Sequence, residues 1–228
     1  MFFETIAALL VSSVAIIISI IQLSVSQKQT YLLDVQTRIE KEKALPQFVV
    51  SAQQTRGISG KAETMGEQII IENLGNVAQN IVINHVVFIK ISCSKQDDES
   101  RFIWLDETFQ IDTYYDATQY TDESTGIVGK IFSINNFNRW IELRKAFDKI
   151  AADNNAIIVY EINRYIKLSY TDVFNEKYVK YYYVPLIGGS SPVEESKGNY
   201  LFNDVAFKTN RLDFYTSSPN KFTDFCIP

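Results

Sequence analysis

The stretch that decides the fold is AIIVYEINRYIKLSYTDVFNEKYVKYYYVPL, residues 156–186. Two runs rich in β-branched and aromatic residues flank a polar loop at Asp172–Lys177, which is the composition of strand, turn and strand. The same texture recurs outward from it, in QFVVSAQ (47–53), EQIIIEN (67–73), NIVINHVVFIKIS (80–92), RFIWL (101–105) and GIVGKIFSI (126–134). Loops rich in Gly, Ser, Asn and Asp separate these runs. Seven strands so punctuated predict a mainly β domain, an antiparallel β-sandwich or a barrel, spanning residues 46–228.

The pattern is immunoglobulin-like in texture, without the Cys…Trp…Cys spacing that marks true immunoglobulin domains. Within it, IENLGNVAQNIVI (71–83) reads as a hairpin, with Gly75 supplying a positive φ at its turn. NNFNRWIELRKAFDKIAADNNA (135–156) breaks the β texture. It sets Trp140, Leu143, Phe147 and Ile150 on one face against Arg139, Glu142, Lys145 and Lys149, predicting an amphipathic helix near 138–153 packed on the β-domain. IGGSSPVEESKG (187–198) has the composition of a surface loop, and YTSSPNKFTDFCIP (215–228) that of an untethered tail.

Ahead of the β-domain stands MFFETIAALLVSSVAIIISIIQLSVSQKQT, residues 1–30. From Thr5 to Gln27 it holds no charged residue, and as a helix that run reaches roughly 34 Å, against about 30 Å of hydrocarbon. It lacks the basic start of a signal peptide and exceeds the h-region length, so a retained transmembrane anchor over 1–27 is expected. A helical stalk follows over 28–45 and stops at Pro46. Lys28, Arg38, Lys41 and Lys43 lie on the C-terminal side of the run and no basic residue precedes it. The positive-inside bias therefore places the N-terminus outside and the β-domain at the cytoplasmic face of the inner membrane.

Along the anchor Thr5, Ala8, Ser12, Ala15, Ser19, Gln22 and Ser26 recur at alternating spacings of three and four. All are small or polar. In lipid, helices associate through close packing and interhelical hydrogen bonds. The stripe thus predicts self-association, or pairing with a partner membrane protein. If it faced inward in an oligomer, it would line a pore.

Chemistry is sparse elsewhere. Net charge is −5, and no basic run offers the counterion release on which nucleic-acid binding depends. A lone His85, alternating in phase with Ile83 and Val87 unless a bulge intervenes, reads as a packed imidazole. Cys93 and Cys226, far apart in sequence, make no disulfide framework and suit a reducing compartment. Gly126-Ile127-Val128-Gly129-Lys130 has the wrong spacing for a phosphate loop, and the Gly188–Pro192 stretch lacks a nucleophile elbow. The acidic clusters Asp97-Asp98-Glu99 and Asp106 to Glu123 lack calcium-loop spacing. No cofactor, metal or enzymatic activity is expected; an enzyme would require carboxylates converging beneath the amphipathic helix. Tyr178, Tyr181, Tyr182 and Tyr183 alternate on both faces of one strand and form a candidate interaction surface. The sequence therefore predicts a single-pass, membrane-anchored binding or scaffold protein clustered through its helix, with an oligomeric pore former sensing through its β-domain as the alternative.

Overall fold

A computed structural model describes residues 2–59, 62–96, 102–186, 188–205 and 210–226, with side chains for all of these except 2–12, 14, 58, 59, 62–64, 95, 96, 102 and 205. The chain divides into two compact units, residues 1–45 and 46–228. Helix α1, Phe2–Lys43, makes up most of the first. It contains no Gly or Pro, and Pro46, which disfavours helix at the residue before it, lies just past its end. Among the described residues no helix is long and apolar enough to cross a membrane. In the expected span the side chains of Thr5, Ala8 and Ser12 are not described. Where side chains are described, Ile16, Ile17, Ile18, Ile20, Ile21, Leu23 and Val25 are all exposed.

The second unit is mainly β, built from two sheets. One runs in the order β5 (Ala117–Tyr120), β6 (Gly126–Ser133), β2 (Ala62–Asn73), β1 (Phe48–Ser59), β9 (Gly188–Gly189). The other runs β10 (Ser191–Val193), β8 (Lys177–Val184), β7 (Ile157–Thr171), β3 (Gln79–Gln96), β4 (Phe102–Asp112), β11 (Asn210–Asp213). Among the described residues all pairings are antiparallel except β11 on β4. Period-two alternation aims Ile69, Ile71 and Ile131 from one sheet, and Ile89, Ile91, Ile166 and Leu168 from the other, into a single core. Each such burial is worth about 1.5–3 kcal/mol relative to exposure.

The hairpin expected at 71–83 is not one. β2 and β3 lie in different sheets, so the segment crosses between them. Gly75 is not among the positive-φ residues. The bend is held by the side chain of Asn73, whose Oδ1 accepts from the amides of Gln47 (3.0 Å) and Gly75 (3.1 Å) and whose Nδ2 donates to the carbonyls of Asn76 and Ser124. A side chain thus replaces the glycine conformation as the turn's organiser. The β7–β8 hairpin does form, with Thr171 opposite Lys177.

Helix α2, Asn136–Asp153, starts at Asn136 and buries Trp140, Leu143 and Phe147. Trp140 meets the Tyr160 ring edge-on at 5.4 Å. A short helix α3, Glu195–Asn199, continues as a π-helical turn over Tyr200–Val205, and a 3-10 turn spans Pro219–Phe222.

Two expectations are overturned at the C-terminal end. Cys93 and Cys226 are joined by a disulfide across 133 residues of sequence, and among the described residues no cysteine is free. The last stretch is not untethered: Phe222 is fully buried, against Phe109 at 5.6 Å and Phe147 at 5.9 Å. Sequence distance concealed both, because β3 and the final turn become neighbours only through tertiary packing.

Candidate functional site

At one side of the sandwich β1 of one sheet comes close to β8 of the other. β1 is flanked by a two-residue strand, β9, and β8 by a three-residue strand, β10. The short connection between β9 and β10 passes from one sheet to the other, and Ser190 donates its amide to the Val50 carbonyl at 3.0 Å. Beneath it lies a cleft of about 540 Å³ between β1 and β8.

From β8 the cleft is lined by Val179, Lys180, Tyr181 and Tyr182, residues of both faces of the strand. Tyr178, Lys180, Tyr182 and Val184 share the inward face, opposite Tyr170, Leu168, Ile166 and Arg164 of β7. Phe48 and Val50 approach from β1. The half-buried Lys180 ammonium stands 6.0 Å from the Tyr170 ring centroid, a cation–π distance, and burial lowers its pKa. Tyr170 packs on Phe48 at 4.8 Å and stacks on Tyr178 at 5.4 Å. Its hydroxyl is buried without a hydrogen-bond partner, and burial pushes its pKa up to about 12.

The four tyrosines singled out in the sequence are therefore distributed. Tyr181 points outward and is covered by the α3 segment: its hydroxyl donates to Asn199 Oδ1 at 2.6 Å and its ring meets Phe202. Tyr182 is buried in the cleft wall. Tyr178 is half-buried and donates to Glu176 at 2.8 Å, while Tyr183 packs on Tyr165 at 5.5 Å. In the helix stripe, Ser19 donates its hydroxyl to the Ala15 carbonyl at 2.8 Å. Gln22 and Ser26 are exposed, and the Ser26 carbonyl accepts from the Thr30 hydroxyl.

A polar cluster that sequence reasoning missed lies in the core. Glu67 of β2 and Arg164 of β7, each 0 % exposed, form an ion pair between the sheets. The same carboxylate accepts from the Tyr115 hydroxyl at 2.6 Å and the Tyr114 hydroxyl at 3.2 Å. Arg164 Nε donates to the Val184 carbonyl, leaving Nη2 unpartnered. Burial lowers the Arg164 pKa to about 10 and raises those of both tyrosines. Such a pair, sealed from solvent, fixes the alignment of two sheets. The signal was available: Glu67 alternates in phase with Ile69 and Ile71, and Arg164 with Ile162, Ile166 and Leu168.

The remaining candidates resolve without converging. His85 keeps the phase of Ile83 and Val87, because the irregularity in β3 falls between Gln79 and Val82. Its ring meets Tyr115 edge-on at 5.3 Å, and burial lowers its pKa. Gly126–Lys130 is strand β6, whose amides serve the sheet ladder. Asp97, Asp98 and Glu99 lie outside the described residues. The second acidic stretch disperses: Asp106 faces Lys90 at 3.5 Å, Asp112 faces Arg211 at 2.7 Å, and Asp116 accepts from the Ile134 amide. Among the described residues no group of His, Cys, Asp or Glu could hold a metal ion.

No family model matches this sequence, and no curated protein matches it either.

Proposed function

We propose that the chain is a membrane-anchored binding module, its two-sheet body used, like immunoglobulin-like domains, as a rigid scaffold for recognition. The observation that carries this reading is the apolar surface of α1, where seven Ile, Leu and Val side chains between Ile16 and Val25 are exposed. Such a surface calls for lipid or for other helices. The stripe from Thr5 to Ser26 supplies a seam for clustering such helices, although Ser19 meets its hydroxyl's need locally.

The body carries its own exposed apolar strand edge. β11 pairs with β4 over Phe109–Asp112, and among the described residues no strand pairs β4 on that side before Phe109. There Ile103, Trp104 and Leu105 are exposed, Trp104 at 54 %. An open edge with an exposed tryptophan suits strand addition by a protein partner.

The orientation proposed is cytoplasmic for the body. Charge bias acts at insertion, before the body folds. The Cys93–Cys226 bond favours the other side, since disulfides persist in oxidising compartments. On the cytoplasmic side the pair would be held as two adjacent buried thiols.

Membrane fractionation with an alkaline carbonate wash tests the anchor: the full chain should remain in the pellet, and its release would overturn the reading. A C-terminal reporter fusion tests the side, with phosphatase activity outside the cytoplasm refuting the proposed orientation. Changing Ser12, Ser19 and Gln22 together to Leu should lower crosslinked species in membranes; unchanged crosslinking removes the clustering proposal.

A further inference from the structure

We propose that the cleft between β1 and β8 binds a small amphipathic carboxylate, its apolar body held against Phe48, Val50 and Tyr182 and its anionic head on Lys180. This deepens the binding reading above and is independent of the anchor. The cleft's volume, about 540 Å³, falls within the range of small-molecule sites, roughly 300–1,000 Å³. Such sites combine apolar walls with a few orienting polar groups.

Here the orienting group is a cation. Lys180 stands on the inward face of β8, opposite Leu168. It faces the Tyr170 ring, and among the described residues no carboxylate is paired with it. Glu195 also lines the cleft, beside Tyr181, whose pKa is raised first by burial and then by that carboxylate; it is not paired with Lys180. A cationic ligand would oppose the ammonium, and a neutral one would leave it unpaired in apolar surroundings. A bare inorganic anion would leave the Phe48 and Val50 walls unused. An apolar chain ending in a carboxylate satisfies both features. Burial also lowers the Lys180 pKa, and a bound carboxylate would offset that desolvation.

An inward lysine on an edge strand has another use, as a guard against strand pairing. The two roles separate experimentally. Full-length protein in zwitterionic nanodiscs is titrated calorimetrically with decanoate, decanol and decylamine, with empty nanodiscs as the blank. Saturable decanoate binding is expected, with decanol and decylamine weaker by about tenfold or more, the range of a charge-assisted contact. Lys180→Met should abolish that preference. Gly189→Trp fills the cleft from a position where an added Cβ has nothing within 4 Å, so it should abolish decanoate binding while leaving the unfolding temperature unchanged. Decanol binding as tightly as decanoate, unchanged decanoate binding in either variant, or partition equal to that of empty nanodiscs would each overturn the assignment. A guard role alone predicts aggregation of Lys180→Met with no saturable decanoate site in the parent. Carbonate release of the chain would refute the anchor while leaving a saturable site intact, so the two proposals fail separately.

Discussion

Replacing Arg164 by Met strands a carboxylate in the core. Glu67 is fully buried and would keep only the two tyrosine hydroxyls as donors. Removing one partner of a buried ion pair costs about 3–5 kcal/mol. For a body of this size each kcal/mol lowers the unfolding temperature by about 2–4 °C, so Arg164→Met should lower it by about 6–20 °C. Adding Glu67→Leu removes the stranded charge and leaves two tyrosine hydroxyls without an acceptor, at about 1–3 kcal/mol each. Adding Tyr114→Phe and Tyr115→Phe removes those as well, and the fourfold variant should return close to the parent, as apolar replacements of buried ion pairs do. Thermal unfolding of the full chain, followed by fluorescence of the buried Trp140, reads the series. An Arg164→Met loss below about 1 kcal/mol, or a fourfold variant no more stable than Arg164→Met, would refute the claim that this pair is a sealed, mutually dependent unit.

Three further outcomes are expected. Cys226→Ser, compared with the oxidised parent, should lose up to about 5 kcal/mol, the chain-entropy value for a closed loop of this size; thermal unfolding checks it, and limited proteolysis should then cut beyond Asp213. Gly66→Ala would drive its Cβ into the Ser133 carbonyl oxygen, forcing β2 and β6 apart at about 1–3 kcal/mol or more, measurable by chemical denaturation. His85 has its pKa lowered in the fold from 6.5 by burial, so the unfolded chain binds the proton first. Stability from the neutral ring is fully present above pH 6.5 and declines as pH falls from there toward the lower folded value. His85→Phe should flatten that segment of the stability curve, and an unchanged slope between parent and variant would contradict the assignment.

What was legible in the sequence follows from how local each signal is. Alternation is local, so the long strands and the buried face of α2 could be read from Ile69, Ile71, Ile166 and Leu168 and from Trp140, Leu143 and Phe147. The turn at Asn73 could not, because its side chain bonds to Gln47 and Ser124, remote in sequence. The same holds for Cys93 and Cys226. Glu67 and Arg164 are an intermediate case: each one's phase betrayed a charge facing inward, and only the pairing of β2's sheet with β7's could say that they meet. Of the candidate cleft, the tyrosine run was visible, whereas the lysine among them was the chemically distinctive member.

The body thus handles its strand edges in two different ways, and the difference separates its two proposed binding surfaces. Along β8 the edge is shortened by β10, and Lys180 faces inward where an added strand would bury a charge. That edge resists another chain but leaves a cavity beside a cation, which suits a ligand small enough to enter between the sheets. Along β4 the cover given by β11 begins only at Phe109, and the stretch before it holds the exposed Ile103, Trp104 and Leu105 followed by Asp106 and Glu107. Both carboxylates have partners within the body, Asp106 in Lys90 and Glu107 in Asn210. A protein partner adding a strand there would gain backbone hydrogen bonds and bury Trp104 without disturbing Lys180. Occupancy of the cleft and pairing at β4 are therefore separable: Trp104→Lys should weaken protein capture and leave decanoate binding intact, and Lys180→Met should do the reverse.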